Sequence, residues 1–318
     1  MKTLYWIFPC YNEEECIVFS YKQIFESYKQ LVEKNVISKE SKVVFVDDGS
    51  KDRTWHFISG FAKENDFVVG LKLSRNKGHQ YAVEAGLRYA YEKKADFTIT
   101  MDVDLQDDIS VIEEMVNKFY EGNDIVYGVR KKRDTDTFFK RQTAKSYYRL
   151  MKRIGVELIE EAADFRLLSY RATEALLSFE ESNLFLRGLV PQIGFKYACV
   201  EYDRLKRQQG KTHYQFSKML KLALDGMTSF SSKPLESIGK CGVAIMVLSL
   251  LFMLAIGILS LVHVYDFSIY YYLFGFIAFN TGIVMLCLGV LGLYLGKINI
   301  EVKKRPHYFI EKTTEDDK

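Results

Sequence analysis

The sequence predicts an α/β fold with a mostly parallel sheet and helices on both of its faces, followed by two membrane spans. Three observations carry this prediction. Short apolar stretches alternate with helical patterns through the first part of the chain. Two of these stretches end abruptly in carboxylates. Near the end of the chain, two long stretches contain no charged residue, and both are long enough to cross a bilayer.

The strands and helices of the first part follow one another in regular order. The apolar stretches predict five strands, namely Leu4–Phe8, Lys42–Val46, Phe67–Leu73, Phe97–Met101 and Asp124–Val129. Apolar residues at helical spacing predict four helices between them, namely Glu13–Lys34, Thr54–Asn65, Gln80–Tyr91 and Ile109–Tyr120. The alternation favours a parallel sheet, because parallel strands need a crossover connection. No Gly-x-Gly-x-x-Gly follows the first strand, and the P-loop pattern Gly-x-x-x-x-Gly-Lys-Ser/Thr is absent, which disfavours dinucleotide and P-loop sites.

Carboxylates follow the second and the fourth predicted strands. Asp47 and Asp48 end the second strand, and Asp102, Asp104 and Asp107 follow the fourth. The carboxyl ends of parallel strands meet at one edge, where open α/β sheets bind their ligands. Carboxylates crowded there repel one another unless a divalent cation lies between them, and an Asp-x-Asp pair suits Mg²⁺ or Mn²⁺ shared with substrate phosphates. The sequence therefore predicts a metal-dependent enzyme that acts on a nucleotide-linked substrate.

The two uncharged stretches, Cys241–His263 and Tyr270–Gly296, predict transmembrane helices. Lysine and arginine flank them on the outer sides, whereas the loop between them has no basic residue, so both termini and the catalytic part are expected in the cytoplasm. Before the first span, His213–Phe230 reads as an amphipathic helix, whose apolar face suits either the membrane surface or the protein core. The polar segment after Pro306 is expected to be loose.

Composition narrows the possible partners and the compartment. The formal net charge of +3 is too small to argue for nucleic acid. Five cysteines, an odd number without a Cys-x-x-Cys pair, disfavour disulfides and zinc and fit a reduced compartment. The expected organisation is a cytoplasmic catalytic domain at 1–212, amphipathic juxtamembrane helices at 213–236, two transmembrane helices at 237–298 and a cytoplasmic tail at 299–318.

Three motifs in order resemble a known family. They are Pro9-Cys10-Tyr11-Asn12-Glu13-Glu14, then Asp47-Asp48-Gly49-Ser50-Lys51-Asp52, then Asp102-Val103-Asp104-Leu105-Gln106-Asp107. They resemble the inverting family 2 glycosyltransferases of GT-A fold, and together with the two C-terminal spans they are similar to the polyprenyl-phosphate subgroup. That subgroup includes bacterial undecaprenyl-phosphate glucosyltransferases and dolichyl-phosphate mannose synthase.

The resemblance implies a role for each matching residue. The nucleotide sugar would be bound by Pro9, Tyr11, Glu13, Asp47 and Asp102, with Asp47 at the base. Mg²⁺ or Mn²⁺ would be held by Asp102, Asp104 and Gln106. The catalytic residues would be Asp104 and Asp164, with Asp164 as the base. The lipid phosphate would be met by Arg130, Arg133, Arg141, Arg204, Arg207 and Lys211, for which a solvated face or a general contact with anionic lipid is the alternative.

A phosphate monoester is already largely ionised at neutral pH, with a second pKa near ~6. Asp164 is therefore either a proton acceptor or a group that orients a cation. A positioning role, or no role, is expected for His79, which has no second histidine nearby.

The expected function is inverting transfer of one sugar from a nucleotide-sugar donor to undecaprenyl phosphate, giving a β-linked lipid product for cell-envelope glycosylation. UDP-glucose is the favoured donor, followed by UDP-N-acetylglucosamine and GDP-mannose. More distant alternatives are a nucleotidyltransferase and a non-catalytic membrane scaffold. Glycines in the spans, together with the resemblance, suggest a homotetramer.

Overall fold

The computed structural model describes residues 1–131, 159–181, 184–204 and 269–316, together with isolated residues between 244 and 255. The chain divides into two units, Met1–Phe216 with Pro306–Lys318 and Ser217–Arg305. The strands of the first unit are β1 (Leu4–Cys10), β2 (Lys42–Asp47), β3 (Val68–Leu73), β4 (Phe97–Thr100), β5 (Ile125–Arg130), β6 (Ala162–Ser169), β7 (Tyr197–Tyr202) and β8 (Ile310–Thr313). Its helices are α1 (Ile17–Glu33), α2 (Thr54–Glu64), α3 (His79–Glu92), α4 (Ile112–Tyr120), α5 (Tyr170–Leu177) and α6 (Leu186–Gln192).

The eight described strands form one sheet in the order β7-β5-β6-β4-β1-β2-β3-β8. The pairs β1–β2, β1–β4, β2–β3 and β5–β7 are parallel. Strand β6 runs antiparallel between β4 and β5, and β8 runs antiparallel at the edge beside β3. The predicted mostly parallel α/β fold is therefore confirmed.

Helices cover both faces of this sheet. Successive side chains of a strand point to opposite faces. Trp6 and Phe8 of β1 belong to one core cluster with buried residues of α1, α2 and α4. On the other face, Tyr5 packs against Tyr89 of α3. Alternation of side chains along β1 thus places α3 opposite the other three helices.

The predicted elements differ from the observed ones mainly at their ends and after β5. Helix α1 begins at Ile17 rather than at Glu13, because Asn12 has a positive φ of 54° and a turn follows it. A short 3₁₀ turn at Ile109–Val111 precedes α4. The sequence patterns did not predict the elements after the fifth strand. These are strands β6 and β7, which extend the sheet, and helices α5 and α6.

The expectation of a loose segment after Pro306 is wrong. Residues 310–313 form β8, and the following Thr314 is buried and accepts a hydrogen bond from the amide of Gly70 through Oγ1 at 2.9 Å. Ahead of the strand, His307 Nδ1 lies 2.8 Å from Glu84 Oε2 on α3. Sheet pairing and the Thr314 bond satisfy backbone groups that would otherwise need water as their partner, and the contact with Glu84 further ties the segment to α3.

The second unit contains the long helix α7 (Ile269–Val302). Within the part of the chain that the structure describes, one stretch has the length and composition to cross a membrane, the 24 residues Phe279–Val302 with a mean hydropathy of 2.0. It overlaps the second predicted span and extends beyond it. The first predicted span, Cys241–His263, lies largely outside the described residues, and the amphipathic segment His213–Phe230 lies wholly outside them. Both stay predictions.

Candidate active site

The carboxyl ends of the central parallel strands meet at one edge of the sheet, as the sequence predicts. Cys10 at the end of β1 pairs in register with Asp47 at the end of β2, and Ile7 pairs with Thr100 at the end of β4. A cleft of about 400 Å³ opens at this edge. It is lined by Pro9, Cys10, Tyr11, Glu13, Asp48, Asn76, Gly78, His79, Ala82, Asp102, Val103 and Asp104.

The cleft wall is strongly acidic. Among the described residues, four carboxylates line it, from Glu13, Asp48, Asp102 and Asp104, and His79 is the only basic side chain of that lining. Like charges at such short range repel one another and repel an anionic ligand. A negatively charged substrate therefore needs a cation between itself and this wall.

His79 and Asp102 form a hydrogen-bonded pair across the cleft, with 2.9 Å between Nε2 and Oδ1. Burial opposes the charged form of both groups, but their mutual attraction outweighs it, so the pKa of Asp102 is lowered and the pKa of His79 is raised. The structure therefore gives His79 the positioning contact that the sequence left open.

Asp48 holds the loop that presents His79. Its two carboxylate oxygens accept hydrogen bonds from the backbone amides of Lys77 and Gly78, at 2.7 and 2.8 Å. Gly49 follows with a φ of +65°, and a Cβ there would lie 2.5 Å from the backbone of Arg75. Only glycine permits this close approach between the loops after β2 and β3.

Asp104 and Gln106 lie side by side, with 2.6 Å between Gln106 Nε2 and Asp104 Oδ2. Among the described residues, no three His, Cys, Asp or Glu side chains form a ready metal cluster. The donor chemistry nevertheless fits a hard cation, because Mg²⁺ is commonly held by one or two carboxylates together with substrate phosphates. Asp102 and Asp104 on one cleft wall supply such a pair.

Asp47 does not line the cleft. Its side chain is fully buried, Oδ1 accepts a hydrogen bond from the amide of Ser50 at 3.0 Å, and Oδ2 has no partner among the described residues. Burial raises its pKa, and the Ser50 bonds oppose that rise. The contact between Asp47 and a base, which the resemblance implies, stays a prediction.

Asp164, on β6, is enclosed by two arginines. Arg166 Nη2 lies 2.5 Å from Oδ1, and Arg187 on α6 reaches Oδ1 with Nε at 3.2 Å and Oδ2 with Nη2 at 3.0 Å. Burial by itself would raise the pKa of Asp164, but the charges of Arg187 and Arg166 outweigh it and hold the pKa well below its ordinary value.

The structure describes two of the six predicted lipid-phosphate residues, Arg130 and Arg204. Arg130 is paired with the buried Asp107, at 3.0 Å from Nη2 to Oδ1, and its Nε lies 3.2 Å from the hydroxyl of Tyr202. Arg204 is exposed after β7. The remaining four, Arg133, Arg141, Arg207 and Lys211, lie outside the described residues. A phosphate-binding role stays a prediction for all six.

Sequence reasoning named no role for three residues that the structure brings to this edge, namely Asp48, Arg166 and Arg187. Asp48 stands inside a quoted motif, and Arg166 is two positions from Asp164 on the same strand face, so spacing could have drawn attention to both. Arg187 lies 23 positions beyond Asp164, and only the packing of α6 against β6 brings the two together.

The fold and the cleft define an α/β protein with an acidic ligand site at the carboxyl edge of its sheet. The chain matches the family described as "Glycosyl transferase family 2" over residues 5–177, more than half its length. It therefore belongs to that family.

Full-length relatives agree with this assignment. The uncharacterised glycosyltransferase YkoT of Bacillus subtilis is 46% identical over 96% of this chain and 90% of its own. The SfII prophage-derived bactoprenol glucosyl transferase of Shigella flexneri is 38% identical over 96% of this chain and 97% of its own. The prophage bactoprenol glucosyl transferase homolog of Escherichia coli has the same identity and coverage. A more distant solved structure, glucosyl-3-phosphoglycerate synthase from Mycobacterium tuberculosis, is 15% identical with a TM-score of 0.47 over 73% of this chain and 80% of that chain.

Proposed function

We propose that this protein transfers a single sugar from a nucleoside diphosphate donor to a polyprenyl phosphate, with undecaprenyl phosphate as acceptor and UDP-glucose as the favoured donor. The observation that carries the proposal is the acidic cleft that gathers Pro9, Glu13, Asp102 and Asp104 at the carboxyl edge of the sheet. The Shigella and Escherichia relatives are named as a bactoprenol glucosyl transferase and its homolog, and these names support the choice of acceptor and sugar.

The side chains of the cleft suit a diphosphate that arrives with a divalent cation. Asp102 and Asp104, assisted by Gln106, would hold Mg²⁺ or Mn²⁺, which neutralises the charge that builds on the leaving diphosphate. His79 keeps the carboxylate of Asp102 ionised and fixed in position. Pro9, Tyr11 and Glu13 line the rest of the cleft, where the nucleoside would bind.

The reaction is a direct displacement. An oxygen of the acceptor phosphate forms a bond to the anomeric carbon while the bond from that carbon to the donor diphosphate breaks, and the electron pair leaves with the diphosphate. Attack from the face opposite the leaving group inverts the anomeric centre, so an α-linked donor gives a β-linked lipid product. Such a product is suited to cell-envelope glycosylation.

The decisive experiment incubates the purified full-length protein in detergent with undecaprenyl phosphate, Mg²⁺ and, separately, UDP-glucose, UDP-N-acetylglucosamine and GDP-mannose. Mass spectrometry of the lipid fraction identifies the product. Transfer of glucose with release of UDP is expected. Release of the sugar 1-phosphate, with the nucleoside monophosphate group transferred to the lipid, would identify a nucleotidyltransferase instead. Absence of turnover with every donor would refute the assignment as an enzyme and favour a scaffold.

A matched pair of variants tests the role of Asp104. Asp104→Asn should lower kcat by about a hundredfold, the scale of losing one electrostatic stabiliser, and should raise the Mn²⁺ concentration required for half-maximal turnover. Asp66→Asn makes the same change at an exposed position before β3, at the opposite edge of the sheet, and should leave both quantities unchanged. Equal turnover of Asp104→Asn and the wild type would remove Asp104 from the reaction.

Membrane attachment through two spans, cytoplasmic termini and a homotetramer complete the proposal. The apolar stretch Phe279–Val302 supports one span. Light scattering of the detergent-solubilised protein measures the subunit number, and protease accessibility of inside-out and right-side-out vesicles measures the orientation. A monomer, or termini accessible only from outside the cell, would contradict the respective part.

A further inference from the structure

The cluster of Asp164, Arg166 and Arg187 lies beside the cleft and outside its lining. Thr100 at the end of β4, two residues before Asp102, donates a hydrogen bond from its hydroxyl to the carbonyl oxygen of Asp164 at 2.8 Å. This bond holds the cluster next to the acidic wall, although the cluster is not part of that wall.

A second link joins the cluster to the helix that carries His79. The side-chain oxygen of Gln80 accepts a hydrogen bond from the amide of Leu186 at 3.2 Å, and Leu186 directly precedes Arg187. The start of α6 is therefore fastened to the start of α3. Arg187 is thereby positioned from two sides, by this bond and by Asp164.

The cluster joins two guanidiniums to one carboxylate beside a cleft whose described lining is acidic. The two arginines are not equivalent. Arg166 has 4% of its side chain exposed and donates through Nη1 to the carbonyl oxygen of Leu186, so it serves the fold, whereas Arg187 has 44% of its side chain exposed.

Direct displacement demands a second anion site that is separate from the first. The leaving diphosphate requires the cation beside Asp102 and Asp104, and the attacking phosphate must approach the anomeric carbon from the opposite side. An exposed guanidinium outside the diphosphate cleft suits this task, because arginine binds phosphate oxygens through parallel N–H donors.

We propose that Arg187 binds the phosphate of the acceptor and that Asp164 is a positioning residue that aims it. The proposal rests on the proposed sugar transfer and names the residue that receives its acceptor. Asp164 is poorly suited to remove a proton, because the two guanidiniums already occupy both carboxylate oxygens. An ionised phosphate monoester needs no proton removed.

The primary test compares Arg187→Gln with Arg171→Gln. Arg171 also forms an Arg–carboxylate pair, with Asp124, has 65% of its side chain exposed and lies at the opposite edge of the sheet. In Arg187→Gln, the KM for undecaprenyl phosphate should rise about tenfold or more, the scale of losing a charge-assisted hydrogen bond, with a smaller effect on kcat. Arg187→Lys should recover part of the loss, and Arg171→Gln should behave as the wild type.

Binding measurements without turnover separate this proposal from the proposed function. Undecaprenyl phosphate and undecaprenol, which lacks the phosphate, are titrated into the protein in detergent without donor, and UDP is titrated with Mn²⁺. Arg187→Gln should lose preference for the phosphorylated lipid and bind UDP as the wild type does. Unchanged lipid binding, or weakened UDP binding, would overturn the assignment even where sugar transfer is established.

A comparison of the two single variants with the double variant tests whether Asp164 acts through Arg187. If Asp164 acts through Arg187, Asp164→Asn should raise the KM for undecaprenyl phosphate, and the double variant should be no worse than Arg187→Gln alone. A general base would instead lower kcat at unchanged KM and add to the Arg187 effect. Because Asp164→Asn leaves the buried Arg166 without its carboxylate, the melting temperatures of the variants are compared first. If Asp164→Asn fails to fold, the Arg187 variants by themselves test the proposal.

Discussion

Replacing Arg130 with alanine distinguishes a structural role for this residue from the predicted contact with a lipid phosphate. Asp107 has 2% of its side chain exposed, and its Oδ1 receives the hydroxyl of Tyr202 at 2.5 Å and Arg130 Nη2 at 3.0 Å. Arg130 itself has 25% of its side chain exposed. Removing the guanidinium leaves a buried carboxylate with the tyrosine hydroxyl as its remaining partner among these contacts.

The expected loss can be estimated from this burial. Breaking a buried ion pair by removing one partner costs about 3–5 kcal/mol, and the partial exposure of Arg130 argues for the lower end, about 3 kcal/mol. For a domain of this size, about 2–4 °C of melting temperature per kcal/mol gives a decrease of about 6–12 °C. Lys131→Ala removes a neighbouring but exposed partner, 3.7 Å from Asp203, and should change the melting temperature little.

The pH dependence of the stability loss tests the Arg130–Asp107 pair independently. Burial raises the pKa of Asp107, and Arg130 opposes that rise, so removing Arg130 raises this pKa further. A carboxyl group with a raised pKa in the folded state favours folding at low pH and loses that contribution as the pH rises through its folded pKa. The deficit of Arg130→Ala should therefore be larger at pH 8 than at pH 5.

Thermal melting of the full-length protein and undecaprenyl phosphate binding are measured on the same samples. A variant that melts as Lys131→Ala does, yet loses the phosphorylated lipid, would refute the structural reasoning and support the predicted phosphate contact of Arg130.

Three further changes test other parts of the fold. Gly49→Ala places a Cβ 2.5 Å from a neighbouring backbone at a φ of +65° and should lower the melting temperature strongly, whereas Gly60→Ala, which meets open space in a helix, should raise it slightly. Thr314→Val leaves a buried β3 amide without its acceptor and should cost about 1–3 kcal/mol in urea or thermal unfolding; no loss would contradict the docking of the C-terminal segment. The hydrogen bond from Arg171 lowers the pKa of Asp124, against the effect of burial, so the stability that this carboxylate contributes is present at neutral pH and is lost on acidification through its lowered pKa. The melting deficit of Asp124→Asn should shrink accordingly below about pH 4, and a deficit that is constant with pH would contradict the ion pair.

Local patterns predicted the central part of the fold well. The five predicted strands all exist, because a buried parallel strand needs an almost continuous apolar stretch that is visible in the sequence. Carboxylates placed directly after such strands share an edge, so Asp48, Asp102 and Asp104 could be expected together before any coordinates were known. Strands β6, β7 and β8 were missed, since their residues alternate with polar ones or stand beyond the predicted membrane spans, and their pairing partners are distant in sequence.

The sequence by itself determined the order of the first five strands and of the four helices between them, the acidic edge, and the apolar length of the second predicted span. Each of these depends on residues close together along the chain. Only the tertiary structure decided which charges meet. It paired His79 with Asp102 and Arg130 with Asp107, and it enclosed Asp164 between Arg166 and Arg187. Electrostatic interaction depends on distance and burial, and the packing of elements remote in sequence sets both.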